Sequence, residues 1–142
     1  MTTLKRNLLW MGPLLAVVLL YFALSKGAAG GIEWESRYQD ALDRADREGK
    51  PVLMFVSSET CPWCQRMKRE TLADGRVIEL ISSRFVPLFL EAPAGREEFK
   101  KTGLEVDGVP ATLLIDAQGQ EFGRIEGFMA PDAFLERLEI YR

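Results

Sequence analysis

The sequence predicts an α/β fold in three layers, a sheet with helices on both faces. Three observations lead there. Apolar runs of strand length, VLMFV at 52–56, FVPLFL at 85–90 and ATLLI at 111–115, alternate with stretches of helical periodicity. VLMFV, five apolar residues with β-branched and aromatic members, suits a central strand buried on both faces. After ATLLI the turn AQGQ reverses the chain and EFGRIEGF returns as an antiparallel partner. Helices between and after these strands can then cover both faces of one sheet.

Each element has its own signal. IEW at 32–34 is a short apolar entry that reads as an edge strand. SRYQDALDRADRE at 36–48 puts Tyr38, Leu42 and Ala45 on one helical face, with Ser36 placed to cap it and Gly49-Lys50-Pro51 to stop it. Ser57 to Thr60 form a loop, and a helix begins near Cys61 or Pro62, because proline fits a first turn. Met67 points inward on it, while Lys68, Arg69 and Glu70 read as solvated helix charges. Asp74-Gly75 breaks this helix and RVIELISS forms a second. Pro87 inside FVPLFL calls for an edge strand or a local irregularity. APAGREEFKKTG holds a loop and a short helix. The last helix runs from Pro131 to Tyr141, with Ala130 at its cap and Phe134, Leu135 and Leu138 apolar. There is no internal repeat.

The N-terminus is different in kind. Residues 8–24, LLWMGPLLAVVLLYFAL, hold no charge in seventeen positions, with Lys5 and Arg6 before them and Lys26 after. The run reaches the roughly 17 residues that a membrane-spanning helix needs at minimum. Residues 1–26 therefore read as a single transmembrane anchor. The alternative is a signal sequence cut near Ala29 in SKGAAGG. Trp10 fits an interfacial anchor. Residues 27–31, GAAGG, form a tether, and residues 32–142 form the domain. The basic residues before the run hold the N-terminus in the cytoplasm and send the domain outward. In a bacterium this is an inner-membrane protein with its domain in the periplasm, or a periplasmic one after cleavage.

Composition excludes several classes. The formal net charge is -3, which offers no broad basic field for nucleic acid. The chain has no histidine, so it has no Ser-His-Asp triad, no Cys-His pair and no histidine metal ligand. Two cysteines alone make a poor zinc site, and CPWCQ has Gln65 where c-type haem attachment needs histidine. No metal or cofactor is expected.

Both cysteines lie in one motif, CPWC at 61–64. As a staple it would be weak, because a ring this small constrains little of the unfolded chain. As a redox pair it is well placed, following a buried-type strand and opening a helix. At the helix start Cys61 meets unpaired backbone N–H groups and the positive end of the dipole, which favours its thiolate. Cys64, more enclosed, would attack the mixed disulfide afterwards. Pro62 stiffens the turn. Trp63 sets a large ring where a partner would dock.

These pieces resemble the thioredoxin superfamily, most of all the domains related to the C-terminal domain of the DsbD thiol:disulfide interchange protein. The resemblance is carried by EW near the start of the domain, by the stretch ALDRADREGKPVLMFVSSETCPWCQRMKRETLADGRVIELISSRFVPL, and by GVPATLLIDAQGQEFGRIEGF. It implies a thioredoxin-like fold around a central mixed sheet, Cys61 attacking, Cys64 resolving, and Pro110 as a cis-proline beside them. With the Val109–Pro110 bond cis, the Val109 backbone would face Cys61, ready to pair with an extended client. Thioredoxins carry an aspartate six residues before the first cysteine, where this chain has Phe55, and a tryptophan directly before it, where this chain has Thr60. Glu59 reads as a surface residue and Trp34 as core packing. Gly127 would leave room for a partner backbone.

The expected function is thiol–disulfide exchange with cysteine pairs of exported proteins. If the flow is reductive, it needs a separate membrane electron donor of the DsbD type, because one apolar run is no electron conduit. The competing expectation is a binding or assembly module that holds an exported client at Pro110 with its disulfide idle.

Overall fold

A computed structural model of the chain describes residues 31–92 and 96–141. The expected anchor at 1–26 and the tether up to Gly30 lie outside the described residues. Among the described residues, no helix is long and apolar enough to cross a membrane.

The first helix, α1 (Tyr38–Glu48), stops at Gly49, whose φ of 63° is the left-handed cap that glycine adopts without a Cβ penalty. Strand β1 (Val52–Ser58) follows. Helix α2 (Pro62–Arg66) then runs directly into a single π turn, Met67–Thr71. After α3 (Gly75–Arg84) come β2 (Val86–Ala92), α4 (Arg96–Thr102), β3 (Ala111–Ile115), β4 (Glu121–Glu126) and α5 (Pro131–Ile140). The sheet order is β2-β1-β3-β4. Strands β1 and β2 are parallel, and the pairs β1/β3 and β3/β4 are antiparallel. The sheet is therefore mixed, with β1 inside it as its unbroken apolar run requires.

Strand alternation sends the apolar side chains to two cores. On one face Val52, Met54 and Val56 join Leu88, Leu113 and the buried side of α1, Tyr38, Ala41 and Ala45, with Phe99 of α4 packed alongside. On the other, Leu53 and Phe55 join Met67, Val77 and Ile81 of the α2–α3 segment and Phe134 and Leu138 of α5. This is the three-layer arrangement that the alternation of runs and periodic stretches predicts. Trp34 packs here too, its ring centroid 6.2 Å from Phe55 and 5.9 Å from Phe89.

Pro87 sits on the outer strand, as its missing donor demands. Its carbonyl accepts from the Glu35 N–H at 2.8 Å, and the Phe89 N–H donates to Glu35 O at 2.9 Å. This single bridge corrects the expected edge strand at 32–34, since only Glu35 pairs. Ser36 does not cap α1 either. The N-cap is Arg37, and no capping side chain comes from it. Instead Glu98, sixty positions on, accepts the Tyr38 N–H at 3.0 Å. The chain enters α1 straight from the Glu35 bridge, and α4 supplies the acceptor that the local sequence does not. The expected break at Asp74-Gly75 falls between α2–π and α3, with Asp74 as the N-cap of α3 and Gly75 already helical.

Candidate active site

The site sits where β1 ends. The strand ends at Ser58, Glu59 and Thr60 carry the chain on, and Pro62 starts α2 at its first position, so Cys61 becomes the N-cap. The Cys61 sulfur accepts the Cys64 N–H at 3.1 Å, serving the first turn as a capping oxygen would. Cys61 and Cys64 are disulfide-bonded, with Cα atoms 5.2 Å apart. Cys61 is half-buried, whereas Cys64 is fully buried. One sulfur is therefore open to a partner and the other is covered by the protein.

The Val109–Pro110 bond is cis, as the resemblance implies. The Cys61 sulfur lies 3.5 Å from the Val109 carbonyl oxygen. Pro110 in turn accepts the Gly127 N–H at 2.8 Å. Gly127 has a φ of 77°, and a Cβ built there would meet nothing within 4 Å. Trp63, Val109, Pro110, Gly127 and Phe128 line one open groove of about 390 Å³. Pro62, next in the chain to Trp63, is exposed, and Trp63 is 55% exposed. All six residues expected at the site, Cys61, Pro62, Trp63, Cys64, Val109 and Pro110, thus gather at one end of the sheet.

Two further residues belong to this surface and were not read from the sequence. The Phe128 ring lies 5.9 Å from Trp63. The Arg66 guanidinium carbon lies 4.3 Å from the Phe128 centroid and 5.6 Å from that of Trp63, within cation–π range of both. Its Nε donates to both carboxylate oxygens of Glu70 at 3.0 Å. The signal for Arg66 was its place one turn after Trp63. Phe128 gave only its adjacency to Gly127.

One expectation about charge is corrected. Lys68 is not simply solvated, because its Nζ donates to Glu91 Oε1 at 2.8 Å and lies 5.0 Å from the Phe89 centroid. Glu59 is exposed, as expected. Among the described residues no group of acidic and cysteine side chains could hold a metal ion.

The model of the thioredoxin-like domain family matches residues 38–141. The chain belongs to the thioredoxin-like domain family. It is 28% identical over 108 residues to the disulfide bond reductase DsbH of Chlamydia pneumoniae, an alignment covering 69% of this chain and 64% of that protein. Among solved structures, a Thermus thermophilus thioredoxin is 29% identical with a TM-score of 0.65, over 79% of this chain and 88% of that one. The oxidised C-terminal domain of Neisseria meningitidis DsbD is 28% identical with a TM-score of 0.57, over 73% and 92%. The chain spans less than two thirds of the curated relatives it matches, from 8% of human spermatogenesis-associated protein 20 to 64% of the chlamydial reductase. A thioredoxin-like fold of the disulfide-oxidoreductase type, carrying a close cysteine pair at a helix start, is thus established.

Proposed function

We propose that the chain is a membrane-tethered thiol–disulfide oxidoreductase of an exported compartment, exchanging electrons with cysteine pairs of exported proteins. The observation that carries the reading is the asymmetry of the pair. The half-buried Cys61 sulfur receives a backbone N–H at the start of α2 and faces the Val109 carbonyl, while Cys64 is covered. Backbone N–H groups and the helix dipole favour a thiolate at Cys61. In this mechanism that thiolate attacks a client disulfide and forms a mixed disulfide. Cys64 then attacks the Cys61 sulfur, closing the Cys61–Cys64 bond and releasing the client thiol.

The client segment lies in the groove lined by Trp63, Val109, Pro110, Gly127 and Phe128, with Pro62 stiffening the turn beside Trp63. The reductase name of the chlamydial relative and the DsbD likeness support a reductive direction, with a separate DsbD-type membrane protein as electron source. The apolar run at 8–24 after Lys5 and Arg6 supports the tether and the outward domain.

The test is turnover. The full-length chain in detergent is mixed with a disulfide-bonded exported protein and a dithiol donor, and client thiols are counted over time. Turnover that vanishes in Cys61→Ser supports the enzyme. Client binding without turnover would overturn it in favour of a holding module.

A further inference from the structure

The loop that carries Phe128 is held from two sides. The Gly127 N–H donates to Pro110 O at 2.8 Å, and the Met129 carbonyl accepts from Thr71 Oγ1 at 2.5 Å. Thr71 closes the π turn and is fully buried. Phe128, between these two anchors, is therefore tied both to the cis-proline and to the helical segment that begins at Cys61. Its ring lines the client groove together with that of Trp63.

Arg66 lies over the two rings, its guanidinium carbon 4.3 Å from the Phe128 centroid and 5.6 Å from that of Trp63. A guanidinium over a ring meets it with its face and keeps its edge for hydrogen bonds. Glu70 takes only part of that edge. Both of its carboxylate oxygens accept from Nε, each at 3.0 Å. Among the described residues no acceptor lies on the two terminal nitrogens, and the side chain is 44% exposed. Those two nitrogens are the end of the guanidinium fork, which matches the two oxygens of a carboxylate.

We propose that Arg66, held over Phe128 and Trp63, selects client segments that carry an aspartate or glutamate close to their cysteine, by pairing its two terminal nitrogens with that carboxylate. The inference rests on the exchange reading above and names the client chemistry of the same groove. Arg66 acts in recognition, and the sulfur chemistry stays with Cys61 and Cys64. Neighbouring cations are engaged elsewhere, Lys68 by Glu91 and Phe89, and Arg124 by Glu121 and Glu126. An apolar client side chain laid on Phe128 would have to cover a charged edge, whereas a carboxylate completes it. Glu70 acts with two signs. It steadies the arginine, and as a like charge it weakens the hold on a second carboxylate.

Short peptides test the selection. Each carries one cysteine, disulfide-bonded to an aromatic thiol whose thiolate absorbs visible light. The reduced full-length chain, in detergent, is mixed with each peptide. The Cys61 thiolate attacks the peptide sulfur, the bond between the peptide and aromatic sulfurs breaks, and the aromatic thiolate leaves with the bonding pair. Cys64 then closes the Cys61–Cys64 bond and releases the peptide thiol, so the cysteine pair is oxidised and the peptide disulfide reduced. Glutamate is placed in turn at each position flanking the cysteine, and every such peptide is paired with one carrying glutamine there. The glutamate-to-glutamine rate ratio is the readout. The same ratio for a small dithiol corrects for the peptides' own reactivity.

In the parent the corrected ratio should reach about threefold or more at one position at least, the scale of a single ion pair, and fall as salt is added. Arg66→Gln should bring it to one or below. Arg66→Lys, which keeps the charge and loses the planar fork, should give an intermediate ratio. Glu70→Gln should raise it above the parent's. If Arg66→Gln fails to fold, the Arg66→Lys and Glu70→Gln variants decide the matter. A ratio of one at every position in the parent would overturn the proposal. So would a ratio that survives in folded Arg66→Gln, with both members of each pair slowed alike, since Arg66 would then act on the Cys61 charge and not on the client. A parent that releases no aromatic thiolate from any peptide fails the exchange reading itself. One that exchanges with every pair equally fails the acidic preference alone.

Discussion

The Cys64 N–H donates to the Cys61 sulfur at 3.1 Å, so the two cysteines are joined by a backbone hydrogen bond as well as through their side chains. The bond is made in the first turn of α2, where N–H groups lack helical partners. It strengthens as charge grows on Cys61 and does nothing for Cys64. In Cys64→Ser, titration of thiolate absorbance should give a Cys61 pKa below the unperturbed value of about 8.5. A value at or above it would remove the basis for Cys61 as the attacking sulfur. The same variant should accumulate a mixed disulfide with the client on Cys61. If trapping instead needs Cys64 present and Cys61 absent, the two roles are reversed.

The tether and its direction rest on residues 1–26, with Lys5 and Arg6 ahead of the apolar run. A reporter that is active only in the periplasm, fused after Arg142, should be active. A reporter restricted to the cytoplasm should be silent. The opposite pattern would overturn the outward placement. The N-terminal sequence of the mature protein then separates the two forms, since a start near Gly30 means cleavage and a start at the first residues means an anchor.

Acid should loosen the packing of α3. The Arg76 side chain first, and the Arg76 backbone N–H second, hold the Asp74 carboxyl below its ordinary value. Arg76 also reaches Asp132 at the start of α5 at 2.7 Å. Because the folded value is depressed, folded Asp74 binds fewer protons than unfolded Asp74. Its contribution is complete above the unfolded value and is lost as pH falls through the folded one. Asp74→Asn keeps a capping oxygen but no longer titrates. Urea midpoints measured over a series of acid pH values should fall less steeply in Asp74→Asn than in the parent. Equal slopes would exclude Asp74 from the acid response.

The parts of the fold legible in the sequence are those set by runs and periods. VLMFV had to be an inner strand because both its faces are apolar, and it is flanked by β2 and β3. Pro87 had to lie on an outer strand because it lacks an N–H, and it does. Pro62 allowed only a first-turn position, which put the helix start at Cys61 or Pro62, and the structure makes Cys61 the cap. The Val109–Pro110 geometry came from family likeness, since the local sequence prefers trans.

What stayed illegible depends on partners far along the chain. Lys68 in a helix with charged neighbours reads as solvated until its partner, 23 residues away, is known to be beside it. Glu91 ends an apolar strand, which was the available hint that a charge there would need company. Ser36 looked like a cap because capping is scored locally, whereas Glu98 reaches α1 from another helix. The π turn has no residue pattern of its own, and its consequence is where it puts Lys68 and Thr71.

Phe55 and the proton of Cys64 supply the last prediction. The Phe55 ring lies 5.8 Å from Phe89 and 6.2 Å from Trp34, with no exposure, in the core that α2 covers. Such a position keeps the interior dry, which disfavours a thiolate at Cys64. Phe55→Asp would put a carboxylate into this core, giving the proton an acceptor there. The decay of the mixed disulfide, followed by rapid quench, should therefore speed up near neutral pH. The substitution also removes a packed ring and buries a polar group, costing about 3–5 kcal/mol, so the urea midpoint should fall. Both readings come from one variant. A faster decay with a lower midpoint means that access to an acceptor limits resolution. An unchanged decay in a folded Phe55→Asp chain would mean that it does not, and that another base, with Glu59 the first to test, or water itself already takes the proton fast enough.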